Sequence, residues 1–94
     1  MSIYDWNLSK AALNLSKHGI SFAEASLAMD DPSIVEEFDD RENYGEERFI
    51  AYAMGASSIL VVIFTQRKDT TRIISARRAT RHEQDHYYRQ NAAR

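Results

Sequence analysis

The chain has 94 residues, no cysteine and a formal net charge of −2. That length sets one domain, burying roughly 60–70% of its extended surface; without thiols, disulfides and thiolate metal sites are excluded and a reducing cytoplasm is the expected setting. The longest apolar run, Ile59 to Phe64, is too short to cross a membrane, and Met1 to Trp6 lacks the charged and apolar regions of a signal peptide.

Tyr4-Asp5-Trp6 reads as a short extended segment. Asn7 is a plausible helix cap, and Leu8, Ala11, Ala12 and Leu15 recur behind it at helical spacing. His18-Gly19 closes that helix, with Gly19 suited to the left-handed position. Ser21-Phe22-Ala23-Glu24 has the capping-box pattern and starts a second helix to about Met29, which Asp30-Asp31-Pro32 stops. Ile34 to Phe38 is a candidate strand, and Asp39 to Gly45 a polar loop. Arg48 to Met54 and the β-branched run Ile59 to Thr65 are strands around a Gly55-Ala56-Ser57 turn. Arg67 to Thr70 turns the chain into a strand from Arg72 to Arg77. Thr80-Arg81-His82-Glu83, a second capping-box pattern, opens a C-terminal helix. The expected fold is α+β: two N-terminal helices, a four-stranded antiparallel meander with helices on one face, and a C-terminal helix.

Charge is unevenly spread along this order. Residues 1–64 carry 11 acids and 4 bases, whereas residues 65–94 carry 8 bases and 3 acids. Such asymmetry suggests a basic surface beside an acidic one, and the density of Arg72, Arg77, Arg78 and Arg81 points to a phosphate-facing patch. Strand arginines can grip phosphate bidentately. By strict alternation Arg72 and Arg78 share a face, and Arg77 lies opposite with Ile73 and Ser75. The blander reading pairs Arg48, Arg72 and Arg77 with acids such as Glu46 or Glu47.

On the first helix, at about 100° per residue, Leu8, Ala11, Ala12 and Leu15 share one side and Lys10, Asn14, Lys17 and His18 an opposing arc. This second arc is either a solvated face or a phosphate-binding and proton-transfer surface, since imidazole titrates near neutrality. His18 could equally complement the helix dipole as part of its end. His82 and His86 have metal-clamping spacing but no evident third ligand, and Asp30-Asp31 and Asp39-Asp40 border element ends, where capping and turns explain them. Tyr87 and Tyr88 could stack bases or pack the last helix, whose surface is otherwise polar all round. No P-loop, dinucleotide fingerprint or serine elbow is present, and no cofactor or metal is expected.

Trp6-Asn7-Leu8-Ser9-Lys10, Asn14, and the run Lys17-His18-Gly19-Ile20-Ser21-Phe22-Ala23-Glu24-Ala25 resemble the opening signature of BrnT-type toxins. Asp31-Pro32, Gly45-Glu46-Glu47-Arg48-Phe49 and Arg72 to Thr80 follow in the family's order, so the likeness runs from about Tyr4 to Glu83. The family's usual Asp-Pro after the tryptophan is here Asn7-Leu8, and the last helix is less basic than is common. The resemblance implies a RelE-like toxin fold and an RNA endonuclease of a type II toxin–antitoxin pair. It also implies a BrnA-type ribbon-helix-helix antitoxin, a heterotetrameric complex, and operator DNA bound through the antitoxin.

RNA carries its own nucleophile, the 2′-hydroxyl, so such cleavage does not require a metal. On that basis Arg48, Arg72 and Arg77 are candidate phosphate stabilisers and His18 and Lys17 candidate acid and base. Lys10, Asn14, Glu47, Arg78 and Arg81 are candidate RNA contacts. The rival readings are a non-catalytic module that docks an antitoxin and aids repression, and a metal-dependent nuclease built on the aspartate pairs.

Overall fold

Local signals start and stop the helices where the sequence places them. The computed structural model describes residues 3–41, 43 and 45–93. Its elements are β1 (Ile3–Asp5), α1 (Leu8–His18), α2 (Phe22–Ala28), β2 (Val35–Asp39), β3 (Arg48–Met54), β4 (Ile59–Arg67), β5 (Thr70–Arg78) and α3 (Arg81–Ala92). The Asn7 side chain accepts from the Lys10 amide and Ser21 from that of Glu24. Thr80 and Glu83 form a complete reciprocal box at α3. Gly19 ends α1 at φ 71°, a conformation that glycine adopts without steric cost.

The sheet is five-stranded in the order β1-β5-β4-β3-β2. The four predicted strands do form an antiparallel meander, but β1 adds to the far side of β5 in parallel, pairing Ile3 with Thr70 and Asp5 with Arg72. The sheet is therefore mixed, and still α+β. Three residues are too few to show a periodicity, and their partner is distant in sequence.

Alternation along β3 and β4 divides the core between two sheet faces. Ala51, Ala53, Leu60, Val62, Ile73 and Ala76 form one cluster with Ile20, Phe22 and Ala25 of the α1–α2 region. Phe22 is only 1% exposed and meets Trp6 edge-on at 6.0 Å; burying a phenyl ring of this kind contributes about 2–3 kcal/mol. Val35, Tyr52, Ile59 and Val61 form the other cluster with Tyr87 of α3. The helices thus lie on both faces rather than one. Tyr87 decides this: it is buried, and its hydroxyl donates to Asp31 at 2.6 Å.

The first helix also sits differently from its apolar pattern. Leu8 and Leu15 are 80% and 51% exposed, while Asn14 is the residue it buries. Its amide donates to the Ile20 and Ala76 carbonyls at 2.9 and 2.8 Å, and its oxygen accepts from the Ala76 amide at 3.1 Å. Beyond the end of β1, the outer edge of β5 has backbone groups that no strand pairs. Satisfying them outweighs burying two leucines in setting the helix's orientation.

Candidate active site

A β-bulge shapes the site. The β4–β5 register runs from Ile63↔Ser75 to Phe64↔Ile73, leaving Ile74 as an extra residue. One inserted residue inverts the alternation on either side of it. Arg72 and Arg77, which strict alternation separates, are thereby brought with Ser75 to the face opposite the α1–α2 core. Arg78 stays on the face opposite Arg77, as alternation places it, and donates to the His18 carbonyl at 3.2 Å, tying β5 to the end of α1.

On the Arg77 face, α3 covers only the β2–β3 side, and a cleft of about 530 Å³ remains open beside it. Ile50, Val61 and Ile63 give it an apolar floor. Lys17 and His18 reach it from the last turn of α1, Ser75 and Arg77 from β5, Tyr52 from β3, Arg41 from the loop after β2, and Glu83 from α3. A shallower hollow of about 210 Å³ shares Lys17, His18 and Ser75 and continues to Lys10 and Ile74. There it meets a pocket of about 190 Å³ lined by Lys10, Arg48, Arg67, Arg72 and Glu46. The three spaces make one groove along the outer margin of β5. Seven cationic side chains and two carboxylates line it.

The groove's charges are held in place. Arg77 donates to both Glu83 oxygens at 2.7 and 2.8 Å, a fork-on-carboxylate pair. That pair, aided by the Thr80 amide, lowers the Glu83 carboxyl to about 2 and raises the Arg77 guanidinium further. Arg41 makes a second fork, at 2.8 and 2.9 Å, onto the buried Asp39. Burial, then the neighbouring charges of Glu37 and Glu83, push the Tyr52 phenol up, so it stays a neutral donor.

The family model for the ribonuclease toxin BrnT of type II toxin–antitoxin systems matches residues 6–83. The chain belongs to this family. No match among curated proteins was found. A type II toxin works against an antitoxin partner, and family membership gives this BrnT-type chain a ribonuclease toxin's activity.

The candidate residues of this BrnT-type toxin distribute unequally over the groove. Lys17, His18 and Arg77 share the wide cleft; Arg48 and Arg72 share the narrower pocket with Lys10, which also borders the hollow between them. Arg72 bonds Asp5 at 3.3 Å across the β1–β5 pair. Asn14 touches the hollow's wall, but its amide is spent on the Ile20 and Ala76 backbone, so the stripe is cationic without an amide. Glu47 is exposed, and its backbone carbonyl accepts from Thr65; Glu46 is the acid that faces the pocket. Arg81 is 88% exposed beside Asp85, away from the groove's lining. Arg78 is occupied at the α1 end.

One aspartate of each pair, Asp31 and Asp39, has structural partners. Burial alone would raise the Asp31 carboxyl, but donation from Tyr87 and the Met54 and Ser33 amides holds it below its ordinary value. His86 bonds Glu37, and among the described residues no group of three His, Cys, Asp or Glu side chains converges as a metal site. Sequence reasoning does not single out Arg41, Tyr52 or Arg67, and it names Glu46 only as an ion-pair partner, Ser75 only as sharing a face with Arg77, and Glu83 only as a helix cap. The period of two along β3 and β4 does carry the signal for Tyr52 and the apolar floor. Nothing local marks Arg41, in the loop after β2, or Arg67, at the end of β4.

Proposed function

We propose that this toxin cleaves RNA endonucleolytically by attack of the RNA's own 2′-hydroxyl, without a metal ion. The observation that carries this reading is the meeting of His18, Lys17 and Arg77 in one cleft that continues into a cationic pocket. One of His18 and Lys17 removes the 2′-hydroxyl proton as the O2′–P bond forms. The other protonates the 5′-oxygen as the P–O5′ bond breaks, leaving a 2′,3′-cyclic phosphate and a 5′-hydroxyl. Arg77, held rigid by Glu83, faces the charge that builds on the phosphoryl oxygens, while Arg48, Arg72 and Lys10 hold the backbone beside it. The apolar floor of Ile50, Val61 and Ile63 offers a base somewhere to lie. A BrnA-type ribbon-helix-helix antitoxin neutralises the toxin in a heterotetramer that reaches operator DNA through the antitoxin.

The test is cleavage of a long RNA by antitoxin-free protein in excess EDTA, with product ends identified. Cyclic or 3′-phosphate ends are expected, and His18→Ala or Arg77→Ala should lower the rate roughly 10²–10³-fold. Cleavage that requires added magnesium would overturn the metal-free route. Intact RNA with and without magnesium would instead favour a non-catalytic module that docks the antitoxin.

A further inference from the structure

The narrow end of the groove contains more positive charge than the cleavage reading uses, and one carboxylate sits inside it. Lys10, Arg48, Arg67 and Arg72 line the pocket, and Glu46 is its single acid. The Glu46 carboxylate spans two of these cations: one oxygen lies 3.3 Å from Arg67 Nη2, the other 3.7 Å from Arg48 Nη2. Two oxygens held between two guanidinium groups is the arrangement a phosphodiester would make there. The hold is weak. The side chains of Arg67 and Glu46 are 54% and 33% exposed, and the longer contact, at 3.7 Å, exceeds hydrogen-bond length. Solvent-accessible pairs of this sort exchange readily for a better-placed anion.

We propose that this pocket is a separate phosphate subsite, that Arg67 is one of its ligands, and that the Glu46 carboxylate occupies it until a phosphate displaces it. The subsite takes a backbone phosphate of single-stranded RNA, flanking the one that reacts. This rests on the RNA-cleavage reading for its substrate, but not for its chemistry, because it concerns binding alone. Displacement frees Glu46 to swing outward on its loop, while Arg48 and Arg67 turn from carboxylate to phosphate without moving their strands. Glu46 therefore weakens RNA binding by competing with it, and also offsets the like charges of Arg48 and Arg67 when the groove is empty.

The experiment measures binding without cleavage, using the full chain and a 2′-O-methyl oligonucleotide that has no attacking hydroxyl. Glu46→Gln should tighten binding about two- to fivefold, and Arg67→Ala should weaken it by a similar factor, the scale of one accessible charge pair. Asp69→Asn makes the same change in net charge one turn away and should have a clearly smaller effect. Amide NMR shifts of wild-type protein on titration should move at Arg67, Arg72 and Ile74, which keeps the test valid should a variant fold poorly. An equal gain for oligonucleotides with 5′-hydroxyl and 5′-phosphate ends assigns an internal phosphodiester; a gain confined to the phosphorylated end assigns a terminal phosphate to the same subsite. Unchanged or weaker binding by folded Glu46→Gln, or no shifts at those amides, would overturn the proposal. If the oligonucleotide binds as described but RNA survives EDTA and magnesium alike, the cleavage reading fails and the subsite stands.

Discussion

Asn14 shows how one polar side chain can outweigh an apolar pattern. Its amide supplies two donors and one acceptor to backbone groups of Ala76 and Ile20 that strand pairing leaves open. Asn14→Ala would strand those buried groups, each costing about 1–3 kcal/mol when unsatisfied. With three such groups the expected loss is about 3 kcal/mol or more in total, with a Tm lower by more than roughly 10 °C for a domain of this size. Denaturant unfolding of the variant checks it, and a change below about 0.5 kcal/mol would show that water replaces the side chain at no cost. In the sequence, Asn14 stands on a stripe with Lys10, Lys17 and His18 and reads as their partner. Helical spacing shows which residues share a face, but not which face meets the sheet when the sheet's edge needs donors and acceptors.

Between elements, the Arg77–Glu83 fork fastens β5 to α3, and Glu83 also completes the α3 cap. The Glu83 carboxyl drops from 4.5 to about 2 on folding. Its contribution is therefore fully present above pH 4.5 and is lost as pH falls towards 2, where the folded protein too takes up the proton. Thermal unfolding between pH 5 and 2.5 should show a falling Tm in the native chain and a shallower fall in Glu83→Gln. Parallel slopes for the two proteins would remove the fork from the acid response. The elements themselves were readable because their signals are local: Asn7, Ser21 and Thr80 cap, Gly19 terminates, and β3 to β5 alternate. The bulge at Ile74 was not, because it arises from how β4 and β5 align rather than from any turn residue, and with it went the correct faces of Arg72 and Ile73 relative to Arg77. The third helix could not be assigned a face either, since its polar surface offers a single buried anchor, Tyr87.

Across the whole molecule, the formal charge of −2 would suggest weak repulsion of RNA, yet seven cationic side chains against two carboxylates line the groove. Screening over about 8–10 Å at physiological salt means that a bound strand feels chiefly the charges that line the groove and those beside it, Glu37 of β2 among them. Affinity should then follow counterion release, with log K falling about 0.7 per engaged phosphate for each decade of salt. If about four phosphates sit in the groove, binding of an uncleavable single strand should weaken roughly fiftyfold between 50 and 200 mM salt. Fluorescence anisotropy on a labelled 2′-O-methyl strand measures the slope directly. A slope near −3 means the strand runs the length of the groove, from Arg77 to Arg72. A slope near −1 confines contact to one cation cluster, and then the three spaces along β5 do not act as a single track. A slope of zero would mean that the groove is not where RNA binds, whatever its charge, and would move the search to the exposed leucines of α1 and a protein partner.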